Sequence, residues 1–143
     1  MTNEINYSKQ ILIFVGCVIG MTFFFSFISR IFRVSLVGFT VIIPMLAALI
    51  SGQNFVKVHG RVPNTFEAKR LTGLSFFFFI GIQILFLILA MINPAMKADF
   101  ENVNMTVIFI LIGFVIFYLG TAFFLIRWSY GSLTQKFADR SNR

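Results

Sequence analysis

Gln83 is the most polar side chain inside the apolar stretches of this 143-residue chain. A carboxamide both donates and accepts hydrogen bonds, so Gln83 could contact a solute or ion on a pathway. In hydrocarbon an unbonded amide costs several kcal/mol. An interhelical hydrogen bond is therefore the simpler reading, and Tyr118 is read the same way. Thr22 and Ser26 add two neutral hydroxyls to the first apolar stretch. Residues 11–28, 34–50, 73–92 and 105–126 contain no Asp, Glu, His, Lys or Arg. Proton-coupled carriers work through titratable groups in the membrane, so the sequence argues against a proton-driven exporter.

Outside these stretches little else could do chemistry. Cys17 is the single cysteine, so no internal disulfide forms, and no Cys/His spacing resembles a metal site. His59 stands alone between Lys57 and Arg61. No GxSxG, HExxH, phosphate-binding loop or paired-carboxylate motif occurs. The expectation is no catalytic residue, no metal, no cofactor and no enzyme activity. What remains is the segment 51–70, where Lys57, Arg61, Lys69 and Arg70 alternate with Phe55, Pro63 and Phe66. Such a surface can hold anionic lipid head groups, at about 1 kcal/mol per basic residue, or dock a membrane-protein partner. The simpler reading is that these charges only set topology.

The elements that position these residues follow from hydropathy. The chain is 58% hydrophobic and 12% charged, about half the charge of a soluble domain, with a mean hydropathy of +0.90. Each apolar stretch is about long enough to cross a bilayer as a helix. The expected fold is all-α: one integral-membrane domain, 1–143, forming a bundle of four transmembrane helices. Their bounds are about 11–28, 34–50, 71–92 and 105–127, with a loop at 51–70 and a tail at 128–143. The first stretch lacks a small-x-small cleavage site and reads as a retained span. Residues 29–33 should turn the chain between the first two helices.

Local signals refine this outline. Pro44 should kink the second helix. Asn64 and Glu67 have the spacing of a capping box, which starts the third helix near Thr65 and sets Glu67 and Arg70 one turn apart. Asn102 or Asn104 can cap the fourth helix. Gly16 and Gly20 form a GxxxG that suits close packing inside the bundle, with homodimerisation as the other use. Thr106, Gly113 and Gly120 suggest a second seam. Phe76, Phe77, Phe78 and Phe79 point about 100° apart in turn, so most of them face lipid.

The formal net charge is +7, yet no basic helix interleaved with aromatics presents itself, so nucleic acid is not the expected partner. With four spans, one side holds Lys9, Lys57, Arg61, Lys69, Arg70, Arg127, Lys136, Arg140 and Arg143. The other holds Arg30, Arg33 and Lys97. The positive-inside rule then places both termini, the loop and the tail in the cytoplasm.

The segment Gly52-x-x-Phe55-x-Lys57-x-x-x-Arg61-x-Pro63-x-x-x-Glu67-x-x-x-Leu71 resembles the centre of the ABZJ-type family of small bacterial inner-membrane proteins, whose function is unknown. The similarity runs from the first helix to the region of Tyr130, Gly131, Gln135 and Lys136. It implies four helices and a multi-pass place in a bacterial inner membrane, and it transfers no activity. The functional expectation is an accessory or structural membrane protein acting through its basic loop. The alternative is a small oligomeric channel or transporter using Gln83, Thr22, Ser26 and Tyr118.

Overall fold

The computed structural model describes residues 7–33, 41–92 and 104–141, and among them every regular element is helical. The helices are α1 (Tyr7–Phe32), α2 (Ile42–His59), α3 (Thr65–Ile92) and α4 (Met105–Trp128). A π-helical turn (Ser129–Leu133) joins α4 to a short α5 (Thr134–Ser141). Three helical runs are long and apolar enough to cross a membrane: α1, Thr65–Leu89 of α3, and α4 continued to Lys136. The fourth helix, α2, has 18 residues and is only about 27 Å long at 1.5 Å per residue.

α1 packs against α2 and α3, and α4 packs against the same two. The helices therefore run round the bundle in the order α1, α2, α4, α3. Successive helices alternate in direction, so the start of α1, the end of α2, the start of α3 and the end of α4 meet at one end. Bonds from Ser51 to Gln10 and between Ser75 and Tyr130 tie these four segments together. The core lies here: Phe14 and Val18 from α1, Ala47, Ala48 and Phe55 from α2, Leu71 and Phe79 from α3, and Ala122 and Ile126 from α4, with Tyr130 beyond it. Spacing explains the selection. Glu67, Leu71, Ser75 and Phe79 are buried at every fourth position of α3, as are Ala47, Ser51 and Phe55 on α2, the row that stacks along one helix face.

Away from this end the helices bury little. Every residue of α4 from Met105 to Phe117 is exposed, on all faces of the helix. A helix that is apolar all round needs an apolar medium, and an exposed patch of this extent does not persist in water. A bilayer meets that need.

Several expectations change. The second helix, expected over 34–50, occupies Ile42–His59, and residues 34–40 lie outside the described residues. Most of the expected loop at 51–70 is helix: α2 runs on to His59 and α3 starts at Thr65, leaving a link of 60–64. The polar run Ser51-Gly52-Gln53-Asn54 continues α2, and Ser51, Asn54 and Gly52 meet partners on other helices, Gln10 for the first two and Thr134 for the glycine. Pro44 sits in the first turn of α2, where a helix has no use for that N–H, so it starts the helix without kinking it. α1 continues through the expected turn to Phe32 and stops at Arg33, which has φ 52°. The tail forms the π turn and α5. Asn93 and Pro94, an Asn-Pro pair of the kind that stops a helix, lie outside the described residues, as do Lys97 and Asn102.

Both glycine seams face outward. Gly16, Gly20, Gly113 and Gly120 are exposed, with no other atom near enough to touch an added Cβ. Packing inside the bundle is therefore not their role. Two of the four phenylalanines face outward, where most were expected to: Phe77 and Phe78 are exposed, Phe79 is only 1% exposed, and half-buried Phe76 meets Phe123 edge-on at 5.1 Å.

Candidate functional site

The packed end carries two polar structures, one buried and one exposed. The buried one is a layer of hydroxyls and amides. Ser51 donates to the Gln10 carbonyl at 2.9 Å, and Asn54 Nδ2 donates to Gln10 Oε1 at 3.3 Å. The Ser75 and Tyr130 hydroxyls share a bond of 2.8 Å, and Ser51 is a second polar neighbour of Tyr130. The π turn makes room for this. Its extra residue brings Ser129 and Tyr130 inward together, and Thr134 Oγ1 closes it by donating to the Ser129 carbonyl at 2.6 Å. Gly52 of α2 lies against that threonine so closely that a Cβ there would overlap Oγ1. Among the described residues no buried side-chain nitrogen or oxygen lacks a partner. A layer whose buried groups are all bonded holds four helices in one register, because shifting any of them orphans groups at about 1–3 kcal/mol each.

The exposed structure is built on the link. Gly60 closes α2 with φ 65°, which a glycine adopts without steric cost, and its N–H reaches the Val56 carbonyl at 2.8 Å. Asn64 and Glu67 form the expected reciprocal cap: Glu67 N–H donates to Asn64 Oδ1 and Asn64 N–H to Glu67 Oε2, both at 2.8 Å. The Arg61 guanidinium donates to both carboxylate oxygens, at 2.8 and 2.6 Å, and this bond holds its pKa above the usual value. Glu67 is thus paired with Arg61 of the link, and the expected neighbour one turn on, Arg70, goes elsewhere. Its guanidinium lies over the Tyr7 ring of α1, 4.7 Å from the centroid. His59 stacks on Phe55 at 4.3 Å, with its Nδ1 3.1 Å from the Phe55 carbonyl.

Lys57, Arg61, Lys69 and Arg70 all lie exposed at this end, with Lys9, Arg127 and Lys136. Exposed Val58 and Phe66 sit among them. The structure therefore brings the four basic candidates to one rim, but it separates them by state. Arg61 is committed to Glu67, Arg70 is oriented by Tyr7, and Lys57 and Lys69 are exposed point charges. Within the bundle, Gln83 is half-buried on α3, and among the described residues its amide has no hydrogen-bond partner. Among the described residues the interhelical bond expected of Gln83 is not made. Tyr118 is half-buried with its ring 6.1 Å from Phe79. The Thr22 hydroxyl donates to Val18 of its own helix at 2.8 Å, and Ser26 is exposed. Among the described residues no three of His, Cys, Asp and Glu come together as metal ligands would.

Sequence reasoning missed the buried layer and the Tyr7–Arg70 pair. The layer had one local trace, the four-residue spacing of Glu67, Leu71, Ser75 and Phe79. The Tyr7–Arg70 pair had none. In the segment 52–71, Gly52, Phe55, Pro63, Glu67 and Leu71 are buried and Arg61 is paired, while Lys57 is exposed. No family model, no curated protein and no solved structure matches the chain.

Proposed function

We propose that this chain is a non-enzymatic component of a bacterial inner membrane, of the ABZJ-type family, which acts through the basic rim of its packed end. In this reading four helices cross the bilayer, both termini and the 60–64 link are cytoplasmic, and the rim meets anionic lipid head groups. The observation that carries it is the separation of charge. Lys9, Lys57, Lys69, Arg70, Arg127 and Lys136 are exposed at one end, whereas Arg30 and Arg33 alone lie at the other among the described residues. Each basic group near an anionic surface adds about 1 kcal/mol of attraction. The transport alternative asks Gln83, Thr22, Ser26 and Tyr118 to line one path, and the Thr22 hydroxyl is already committed to its own helix.

The test is the lipid shell. Protein reconstituted in mixed anionic and zwitterionic lipid should enrich the anionic lipid around itself. The variant carrying Lys57→Gln, Lys69→Gln and Arg70→Gln should lose that enrichment. Arg61 is left intact there, because its loss would disturb the link rather than the rim. An unchanged lipid shell in the triple variant would overturn the reading.

A further inference from the structure

We propose that Arg70, held against Tyr7 and flanked by Lys69, is a defined site for the phosphate of an anionic phospholipid. The proposal rests on the reading of the basic rim above and narrows it to one place. Arg70 belongs to the outward face of α3. Phe66, Lys69, Arg70, Gly73 and Phe77 are exposed there, while Glu67, Leu71 and Ser75 turn inward.

The contrast with Arg61 gives the reason. Both are arginines of the rim, but the Arg61 fork is filled by the two oxygens of Glu67. Arg70 sets its guanidinium carbon over the Tyr7 ring, 4.7 Å from the centroid. A cation–π contact supplies no hydrogen-bond acceptor oxygen, so N–H groups remain for one. Among the described residues no acceptor takes them. A guanidinium held beside a ring, with no acceptor on its N–H groups, suits the paired oxygens of a phosphodiester. Lys69 adds a second positive charge beside it.

The surroundings select a lipid as the source of that phosphate. Towards the bilayer, the next outward position is Gly73, where the space around the Cα is open. Beyond it lies Phe77, 72% exposed. Arg70 to Phe77 spans about 10 Å along the helix, a path on which a headgroup gives way to its acyl chain. On the other side exposed Phe66 caps the site with an apolar ring. A phosphate in free solution would gain nothing from these apolar neighbours.

The full-length protein is placed in nanodiscs of equal phosphatidylglycerol and phosphatidylcholine, and the lipids it retains on transfer to mild detergent are counted by native mass spectrometry. The expected wild-type result is selective retention of phosphatidylglycerol. Arg70→Gln should lower that selectivity about tenfold, and Arg70→Lys, which keeps the charge without the planar fork, about threefold. Tyr7→Leu should behave like Arg70→Lys. Lys57→Gln, which removes one charge of the rim but no part of the site, should lower the selectivity clearly less than Arg70→Gln. Lys57 and Arg70 are exposed and Tyr7 is half-buried, and equal thermal midpoints of the variants exclude a folding defect. Equal losses in Arg70→Gln and Lys57→Gln would overturn the site and leave the diffuse basic rim standing. Unchanged selectivity in the triple variant as well would overturn both.

Discussion

Phe55 at the packed end is fully buried, whereas Phe109 on α4 is 70% exposed. The same side chain serves two different solvents. Around Phe55 the helices offer small residues, Ala47, Ala48, Ser51 and Gly52, that let backbones come close, together with hydroxyls that bond across the gap. Around Phe109 there is only apolar surface and no interhelical bond among the described residues. In a membrane the hydrophobic effect does not drive helices together, since lipid is as apolar as leucine, so packing and hydrogen bonds must do it. The packed end has both and the outer half of α4 has neither, which is why, among the described residues, the helices pack closely at one end only.

The largest effect should come from cutting into that difference directly. Phe55→Ala leaves a cavity that lipid does not fill, and should cost about 2–4 kcal/mol in detergent or bilayer unfolding. Phe109→Ala should stay within about 0.5 kcal/mol. If the two variants lose the same stability, α4 is covered by a partner, and the comparison fails.

A second pair isolates close approach. Gly52→Ala forces a methyl group onto Thr134, whose hydroxyl is fixed on the Ser129 carbonyl. The expected cost is about 1–3 kcal/mol of overpacking. Gly20→Ala meets open space, and should be neutral or stabilising by up to about 1 kcal/mol through helix propensity. The double variant Gly52→Ala with Thr134→Ala should recover most of the loss. Absence of any rescue would mean that α5 does not sit on α2 as described.

These two pairs also mark what was readable beforehand. The three membrane-length runs were, because hydropathy is a local property. So were the Asn64–Glu67 cap and the start of α3 at Thr65, whose signals lie within four residues of each other. The true length of α2 was not. Ser51-Gly52-Gln53-Asn54 reads as a water-facing loop only while polarity stands for exposure. The partners that make burial tolerable are Gln10, 41 residues away from Ser51, and Thr134 beyond α4. With the start of α2 misplaced, Pro44 fell in mid-helix and its effect was misread. The outward turn of Gly16 and Gly20 was hidden for a related reason. Spacing places two glycines on one face, but only the neighbouring helices decide which face is inside. The basic rim was legible as composition, while its division into a committed Arg61 and an oriented Arg70 depends on Glu67 and Tyr7 arriving from different elements.

The smallest expected effect compares two helix starts that use the same residue. Asn64 begins α3 at the packed end, and Asn104 begins α4 at the open end. Asn64 accepts from the Glu67 N–H at 2.8 Å, and Glu67 returns the bond. Asn104 accepts from Thr106 N–H at 3.4 Å with no return bond, a distance at which little energy remains. Asn64→Ala should therefore cost about 1 kcal/mol. Asn104→Ala should cost only about a few tenths of that, because water or lipid head groups can take over the freed N–H. Thermal midpoints of the two variants, read in the same detergent, give the comparison. Hydrogen exchange localises it: Asn64→Ala should speed exchange in the first turn of α3, and because Glu67 also holds Arg61, the same variant should loosen the link. Equal midpoints would mean that the reciprocal cap contributes nothing beyond an ordinary exposed one, and the packed end would then owe its order to side-chain packing alone.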